Sequence, residues 1–507
     1  MSDDPGEDAA DPDTGRSSEA EVRQRSAFWL GHTPTEPMPI VERLRHTPYR
    51  MTRSQGDIAA TGAEEQAAYD AIDIALRIGE LMLRSGAAAA KVEAAIVAVG
   101  AAAGLRRLEV DITLQALLMQ CVLSDGQTIT RLKVVQGARQ DFARLDAIHG
   151  LVDEIVEKGW DAGTVRQRVR AIQTQRRNYS DTLVLLTTGL LVGAVTFMLG
   201  AGLSAVGVSV LSGMVVHRVT KFLGRHGYPE FYQMAFGAFT ATLIAWAAYV
   251  AGVYTPFPVS GSDFAYMVAG GIVILLPGRA TAAAVEDVIS GYQVTGAGRM
   301  LAVFLNTAGL TVGVGGALTL TLALTEALDG SFVSPEVLDL RSFTSPTVPV
   351  LVGASVLGLT AAVNAQSRRR LLVPIALLCV TGVAVSRLFT DVLGLGVTIA
   401  AGGAAVVIGI VARLLASRVS SLAMTIVIPA SFGLLPGLAI FRGLYEMVSA
   451  GSSAGALTVQ SGITTLLGAF ATLLAIATGT MLGELLMGPV GHRWSQARWD
   501  RRRRRQG

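Results

Sequence analysis

The sequence predicts a multi-pass α-helical membrane protein: about ten spanning helices, arranged as two inverted five-helix repeats, with a small α/β cytosolic N-terminal domain. Three observations predict it. The 507 residues are 51% hydrophobic and only 16% charged, with a mean hydropathy of +0.48, too apolar for an ordinary soluble enzyme. The apolar residues concentrate beyond about residue 178, in runs near the ~20 residues that a spanning helix needs. One short string also occurs twice, as Leu275-Leu276-Pro277-Gly278 and Leu434-Leu435-Pro436-Gly437, and an acid follows each at the same distance, Asp287 and Glu446. At that offset Ala280 matches Ala439, Ser290 matches Ser449, and Gly296-Ala297 matches Gly455-Ala456.

Residues 1–66 are rich in Asp, Glu, Ser, Gly, Pro and Arg and read as a disordered tail. Phe28, Trp29 and Leu30 make a small apolar island within it. The acidic start, with Asp3, Asp4, Glu7 and Asp8 and no apolar stretch nearby, predicts no cleavable signal peptide.

Residues 67–178 read as the folded cytosolic domain. Ile72, Ala75, Leu76, Gly79 and Leu83, then Val92, Ile96 and Val99, recur at helical spacing, interrupted at Gly86 and closed at Gly104. Leu108–Leu114 alternates apolar and polar residues and predicts a half-buried strand. Leu117–Leu123 and Gln127–Val135 flank Ser124-Asp125-Gly126, a hairpin signal. Two amphipathic helices follow, at about 138–158 and 161–176, split at Gly159. Asp111, Asp125, Asp141, Asp146 and Asp153 read as solvated or turn positions.

The spanning segments are predicted at 182–202, 204–222, 231–253, 264–285, 300–325, 347–365, 371–389, 394–414, 420–441 and 458–486. They divide into a first repeat at 179–330 and a second at 345–490, followed by a basic cytosolic tail, 491–507. With the N-terminal domain in the cytoplasm, Lys221, Arg225, Arg299, Arg368–Arg370, Arg413, Arg418 and the tail Arg501–Arg505 fall inside. Asp263, Glu326, Asp329, Glu336, Asp339, Arg341 and Asp391 fall outside. That is the asymmetry of the positive-inside rule, and it places both termini in the cytoplasm, at the cell membrane. The tail reads as a topology anchor, compatible with anionic lipid, and not as a nucleic-acid site. A repeat offset of five helices makes the two Pro–Gly helices run in opposite directions.

A Pro–Gly pair interrupts a helix and frees backbone polar groups, tolerated in lipid only where they are buried in protein or line a wet cavity. Interrupted segments at matching places in two halves point to a transporter's binding site. A half-helix beginning near Pro277 or Pro436 presents N–H groups and positive dipole to a carboxylate, and freed carbonyls suit an ammonium or a cation. The candidate substrate-binding residues are therefore Pro277, Gly278, Thr281, Pro436, Gly437 and Arg442; a pair of packing kinks is the simpler alternative. Intramembrane charges are costly and point to function: Asp287, Glu446 and Glu484, with Arg279, Arg387 and Arg442. Asp287 and Glu446 are the candidate proton-coupling residues, because desolvation favours the neutral carboxyl. Each also reads as an interfacial cap paired with an Arg, and Arg387 as a snorkelling side chain. Gly189, Gly193, Gly402 and Gly403 suit close helix packing. Cys121 and Cys379, the only cysteines, predict neither a disulfide nor a thiol metal site. The scattered histidines form no ligand set, and no catalytic constellation is visible. No enzyme activity, cofactor or metal is expected, and homo-oligomerisation is left open.

With these motifs the chain resembles the threonine/serine exporters, in the form that fuses N-terminal and C-terminal modules. The family's Gly-Ala and Arg-Val-Glu elements are matched at Ser85-Gly86-Ala87 and Lys91-Val92-Glu93, with Lys91 where Arg is usual and Ala89 where Thr is usual. Its Pro-Gly, Asp and Ser-Gly pattern is matched at Pro277-Gly278, Asp287 and Ser290-Gly291, followed by Gly296 and Arg299. The companion module's Leu-Pro-Gly is matched at Leu435-Pro436-Gly437. The resemblance covers about residues 68–490 and implies export of threonine and serine, coupled to protons, by a secondary transporter with alternating access. Some relatives with split halves resemble dicarboxylate exporters, so a succinate-like substrate is the same-class alternative. A membrane-anchored sensor or hydrolase using the N-terminal domain is the alternative of another class.

Overall fold

The computed structural model describes residues 62–487, apart from 106, 124–125, 136, 138–140, 257, 328–345, 420 and 450–458. Expectations for the tail before residue 62, for Asp329, Glu336, Asp339 and Arg341, for Gly455-Ala456 and for Arg501–Arg505 lie outside the described residues, as do the side chains of Arg279 and Glu326.

The chain begins with helices α1 (Gly62–Arg84) and α2 (Ala89–Ala102). Gly86 and Gly104, at φ +97° and +90°, end them in a region other residues avoid. Strands β1 (Arg107–Thr113), β2 (Ala116–Val122) and β3 (Thr128–Val134) form one antiparallel sheet in that order. Leu108 pairs with Cys121, and Cys121 with Ile129, so one face carries the apolar set. Leu114, expected to end the first strand, instead enters the turn at φ +55°. Helices α3 (Phe142–Lys158) and α4 (Ala162–Thr174) follow. Each starts where an aspartate accepts a backbone N–H three residues on: Asp141 from Arg144 and Asp161 from Thr164, both at 3.0 Å. Ile72, Ile78, Met82, Ile96, Leu117, Met119, Leu145 and Val152 fill the space between these helices and the sheet's inner face.

The apolar part continues as α5 (Asp181–Met198), α6 (Leu203–Arg225), α7 (Glu230–Tyr254), α8 (Gly261–Val273), α9 (Gly278–Ile289) and α10 (Gln293–Ala327). Then come α11 (Thr347–Asn364), α12 (Leu372–Arg387), α13 (Val397–Val419), α14 (Met424–Ala430), α15 (Gly437–Ser449) and α16 (Val459–Leu486). Among the described residues eight helices are long and apolar enough to cross a membrane, nine if the bent pair Met424–Leu434 and Gly437–Leu444 is counted as one span. The chain is thus a multi-pass helical membrane protein. The remaining expected span, 264–285, is divided at its Pro–Gly pair into α8 and α9, each too short to cross alone.

Small residues set the closest helix approaches. A Cβ on Gly313 would sit 2.1 Å from the Ala235 carbonyl oxygen, and one on Gly409 would sit 2.2 Å from that of Thr480. These contacts join α7 to α10 and α13 to α16. Gly189 likewise faces the Val210 carbonyl, and Gly402 faces Ala475. With 35 residues, α10 is about 50 Å long, more than the ~30 Å hydrocarbon core. Its first turns meet the N-terminal layer: Thr295 accepts the Leu114 N–H at 3.0 Å and donates to the Ile112 carbonyl at 2.9 Å.

Candidate functional site

The two Pro–Gly breaks lie against each other. After α8 the chain makes a last turn, in which the Leu275 and Leu276 N–H groups donate to Ile272 and Val273 at 2.9 and 3.2 Å. Pro277 then caps α9, and its carbonyl accepts the Thr281 N–H at 2.9 Å. In the second segment, Ser431–Leu434 tighten into a 3-10 turn and Leu435 is extended, as a residue before proline prefers. Pro436 then precedes α15, and the two arms meet at 50°. A Cβ on Gly278 would lie 2.9 Å from Leu435 Cδ2, and one on Gly437 would lie 2.6 Å from Val273 Cγ2. Phe264 and Phe441 meet edge to face at 6.5 Å. Near the crossing, Gly278, Ala282, Val427, Ser431, Leu435 and Thr480 surround a cavity of about 20 Å3, room for about one water.

The acids that follow the breaks sit apart, each with an arginine. Asp287 is fully buried near the end of α9. One of its oxygens contacts Arg299 Nη1 at 2.5 Å, and the other accepts the Ala89 N–H at 2.7 Å. Glu446, near the end of α15, is 4% exposed. It meets Arg442 Nε at 2.8 Å and accepts from Thr465 Oγ1 at 3.0 Å. Beside Asp287, Lys91 of α2 reaches Glu286 of α9 at 2.7 Å and Glu484 of α16 at 3.8 Å. Burial pulls the Lys91 pKa down, but the two carboxylates outweigh it and hold the ammonium above its ordinary value.

A second joint links the N-terminal layer to the later helices. Asp146 of α3 is fully buried; its Oδ1 accepts from Ser421 Oγ at 2.6 Å, the Leu422 N–H at 3.2 Å and Thr425 Oγ1 at 3.3 Å. Its Oδ2 makes no hydrogen bond and lies 3.6 Å from Arg368 Nε. Burial pushes the Asp146 carboxyl above the usual carboxylate range, against the pull of Ser421, Arg368 and the Leu422 amide. The Phe142 and Ala143 N–H groups add bonds of 3.1 Å to the Ala365 and Gln366 carbonyls.

The structure therefore brings together Pro277, Gly278, Pro436 and Gly437, and pairs Arg442 with Glu446. It sets Asp287 beside α2, whereas Glu446 lies on the arm of the second segment beyond its break. Buried Thr281 gives its hydroxyl to the Pro277 carbonyl at 2.9 Å. Arg387 lies 3.8 Å from Asp391. Of the aspartates read as solvated or turn positions, Asp146 is corrected: it is buried as an acceptor for residues 421–425, whereas Asp141, also buried, sits at the turn that starts α3 and caps it. Arg299, expected as a positive residue on the inner side, lies on α10 as the partner of Asp287, and Glu286 and Thr465, not among the expected site residues, join the two acid clusters. The acidic doublet Glu286-Asp287 was the available signal, since two adjacent acids at the end of an apolar run require cationic partners.

A family model described as "Putative threonine/serine exporter" matches residues 73–321, and a second, described as "Threonine/Serine exporter, ThrE", matches residues 350–486. Among curated proteins, a "Probable threonine/serine exporter" of Mycobacterium tuberculosis is 28% identical over 467 residues, covering 90% of this chain and 81% of that protein. A "Threonine/serine exporter" of Corynebacterium glutamicum is 28% identical over 418 residues, covering 82% and 81%. No solved structure matches. The two family models follow one another in chain order and together take in most of the chain, one ending within α10 and the other beginning within α11, and on that ground the chain belongs to the threonine/serine exporter family.

Proposed function

We propose that this protein exports threonine and serine from the cytoplasm across the cell membrane as a secondary transporter, by alternating access driven by the proton gradient. The observation that carries the reading is the crossing of the two Pro–Gly breaks, Gly278 on Leu435 and Gly437 on Val273. Two interrupted segments passing in opposite directions are the expected midplane site of an inverted-repeat transporter. The recurring helix pairs support the repeat: α5 packs on α6 and α7 on α10 in the first half, and α11 on α12 and α13 on α16 in the second. Substrate binding is assigned to Pro277, Gly278, Thr281, Pro436, Gly437 and Arg442, around half-helix ends that would take the carboxylate and ammonium of a zwitterion. The small cavity at the crossing fits a state in which the site is closed.

Asp287 and Glu446 are assigned to proton coupling, each exchanging its arginine for a proton as its half opens. Both termini lie in the cytoplasm in this reading. The relatives' names, both threonine/serine exporters, support this choice of substrate. The test is efflux from proteoliposomes loaded with threonine, serine or succinate. Saturable threonine efflux, inhibited by serine and indifferent to succinate, is expected. Movement of succinate alone would overturn the substrate assignment.

A further inference from the structure

We propose that Lys91 is the latch of the cytoplasmic gate, one ammonium that holds α9 of the first half to α16 of the second. The inference rests on the alternating-access reading and names the device that keeps its inner side shut. Lys91 belongs to neither half; it stands in the first turn of α2, in the N-terminal layer. Its Nζ reaches Glu286 of α9 at 2.7 Å and Glu484 of α16 at 3.8 Å. All three side chains are only about a fifth exposed (21%, 21% and 20%), so the carboxylates are poorly screened from each other. Without Lys91 two like charges face one another across the seam where α9 packs on α16. Arg413 of α13 adds positive charge on the Glu484 side, but it belongs to the same half as Glu484 and does not tie the halves together.

The neighbouring joints differ in kind. The N-terminal layer is fastened to the second half by backbone bonds from Phe142 and Ala143 and by the three donors to Asp146. Toward the first half it presents Ala89 N–H to Asp287, Lys91 to Glu286, and Leu114 to Thr295. Among the described ion pairs, Lys91 alone touches both halves at once. Inward opening must part α9 from α16 and so must break one of its two contacts. The Lys91 ammonium nitrogen is shielded from water in this closed arrangement, and each partner regains hydration as the halves separate, which offsets part of the lost attraction.

The test is a distance between spin labels at Val288 and Leu485, 43% and 60% exposed on α9 and α16, measured by pulsed EPR on the full chain in nanodiscs. Wild-type protein should give one dominant short distance. Lys91→Gln should raise a longer-distance population about tenfold, Lys91→Arg should restore the short one, and Lys91→Glu combined with Glu286→Lys should restore it more fully than Lys91→Glu alone. An unchanged distribution in Lys91→Gln would overturn the latch. If that variant does not fold, the charge-swap pair carries the test, and failure of the swap to close the gate overturns it equally. No substrate is needed, so failure of the latch is distinguishable from failure of the exporter reading, which efflux reports.

Discussion

Asp287 accepts the backbone N–H of Ala89 at 2.7 Å, so a carboxylate from the membrane part caps a helix of the N-terminal layer. The helix dipole at that end favours a negative charge, and Arg299 balances it from the other side. One residue thus serves three elements: α2, α9 and α10.

Removing that carboxylate should be costly. Asp287→Ala leaves Arg299 without its partner and orphans the Ala89 N–H, with an expected loss of about 3 kcal/mol. Asp287→Asn keeps an acceptor for Ala89 and should lose less. Denaturant unfolding in detergent checks the order; equal losses would mean that the cap contributes nothing.

The two break glycines should respond unequally to alanine. In Gly437→Ala the new Cβ meets the branched Val273 at 2.6 Å, whereas in Gly278→Ala it meets the flexible end of Leu435 at 2.9 Å. Gly437→Ala should cost about 1–3 kcal/mol and Gly278→Ala under ~1 kcal/mol, measured in the same unfolding assay.

The Asp146 joint should carry a pH signature. Its carboxyl is held above the usual range in the folded protein, so the folded state keeps a proton that the unfolded state has released. Stability from this group is greatest below the ordinary carboxylate value, falls as pH rises through the raised one, and is flat beyond. Asp146→Asn keeps the Oδ1 acceptor and removes the titration. Its stability relative to wild type should therefore rise across that window, measured by unfolding at stepped pH; a pH-independent difference would count against the assignment.

Orientation is checked by a topology reporter at Val333, between α10 and α11, expected outside. A cytoplasmic signal there would break the inverted-repeat reading.

Much of the fold was legible because it is local. The apolar runs, the period-two alternation of β1, and the glycines at 86, 104 and 159 act within a few residues of themselves. The breaks were legible because the string is repeated. The charged joints were not, since their partners are far apart in sequence: Ala89 and Asp287 by 198 positions, Asp146 and Ser421 by 275. Asp146 stands on an amphipathic helix, where an acid defaults to the solvated face, and only the packing of residues 421–425 buries it. The division of 264–285 was marked by Pro277, but the shortness of each arm emerges only once the chain turns at Ile274–Pro277.

The central claim, proton-driven export through the crossed breaks, is tested most directly by threonine efflux from loaded vesicles under an imposed pH gradient, compared in wild type, Asp287→Asn and Glu446→Gln. The account predicts that the gradient accelerates efflux in wild type and that each substitution abolishes the acceleration while downhill threonine exchange persists. Efflux that ignores the gradient in wild type, or keeps its full response in both variants, would contradict it.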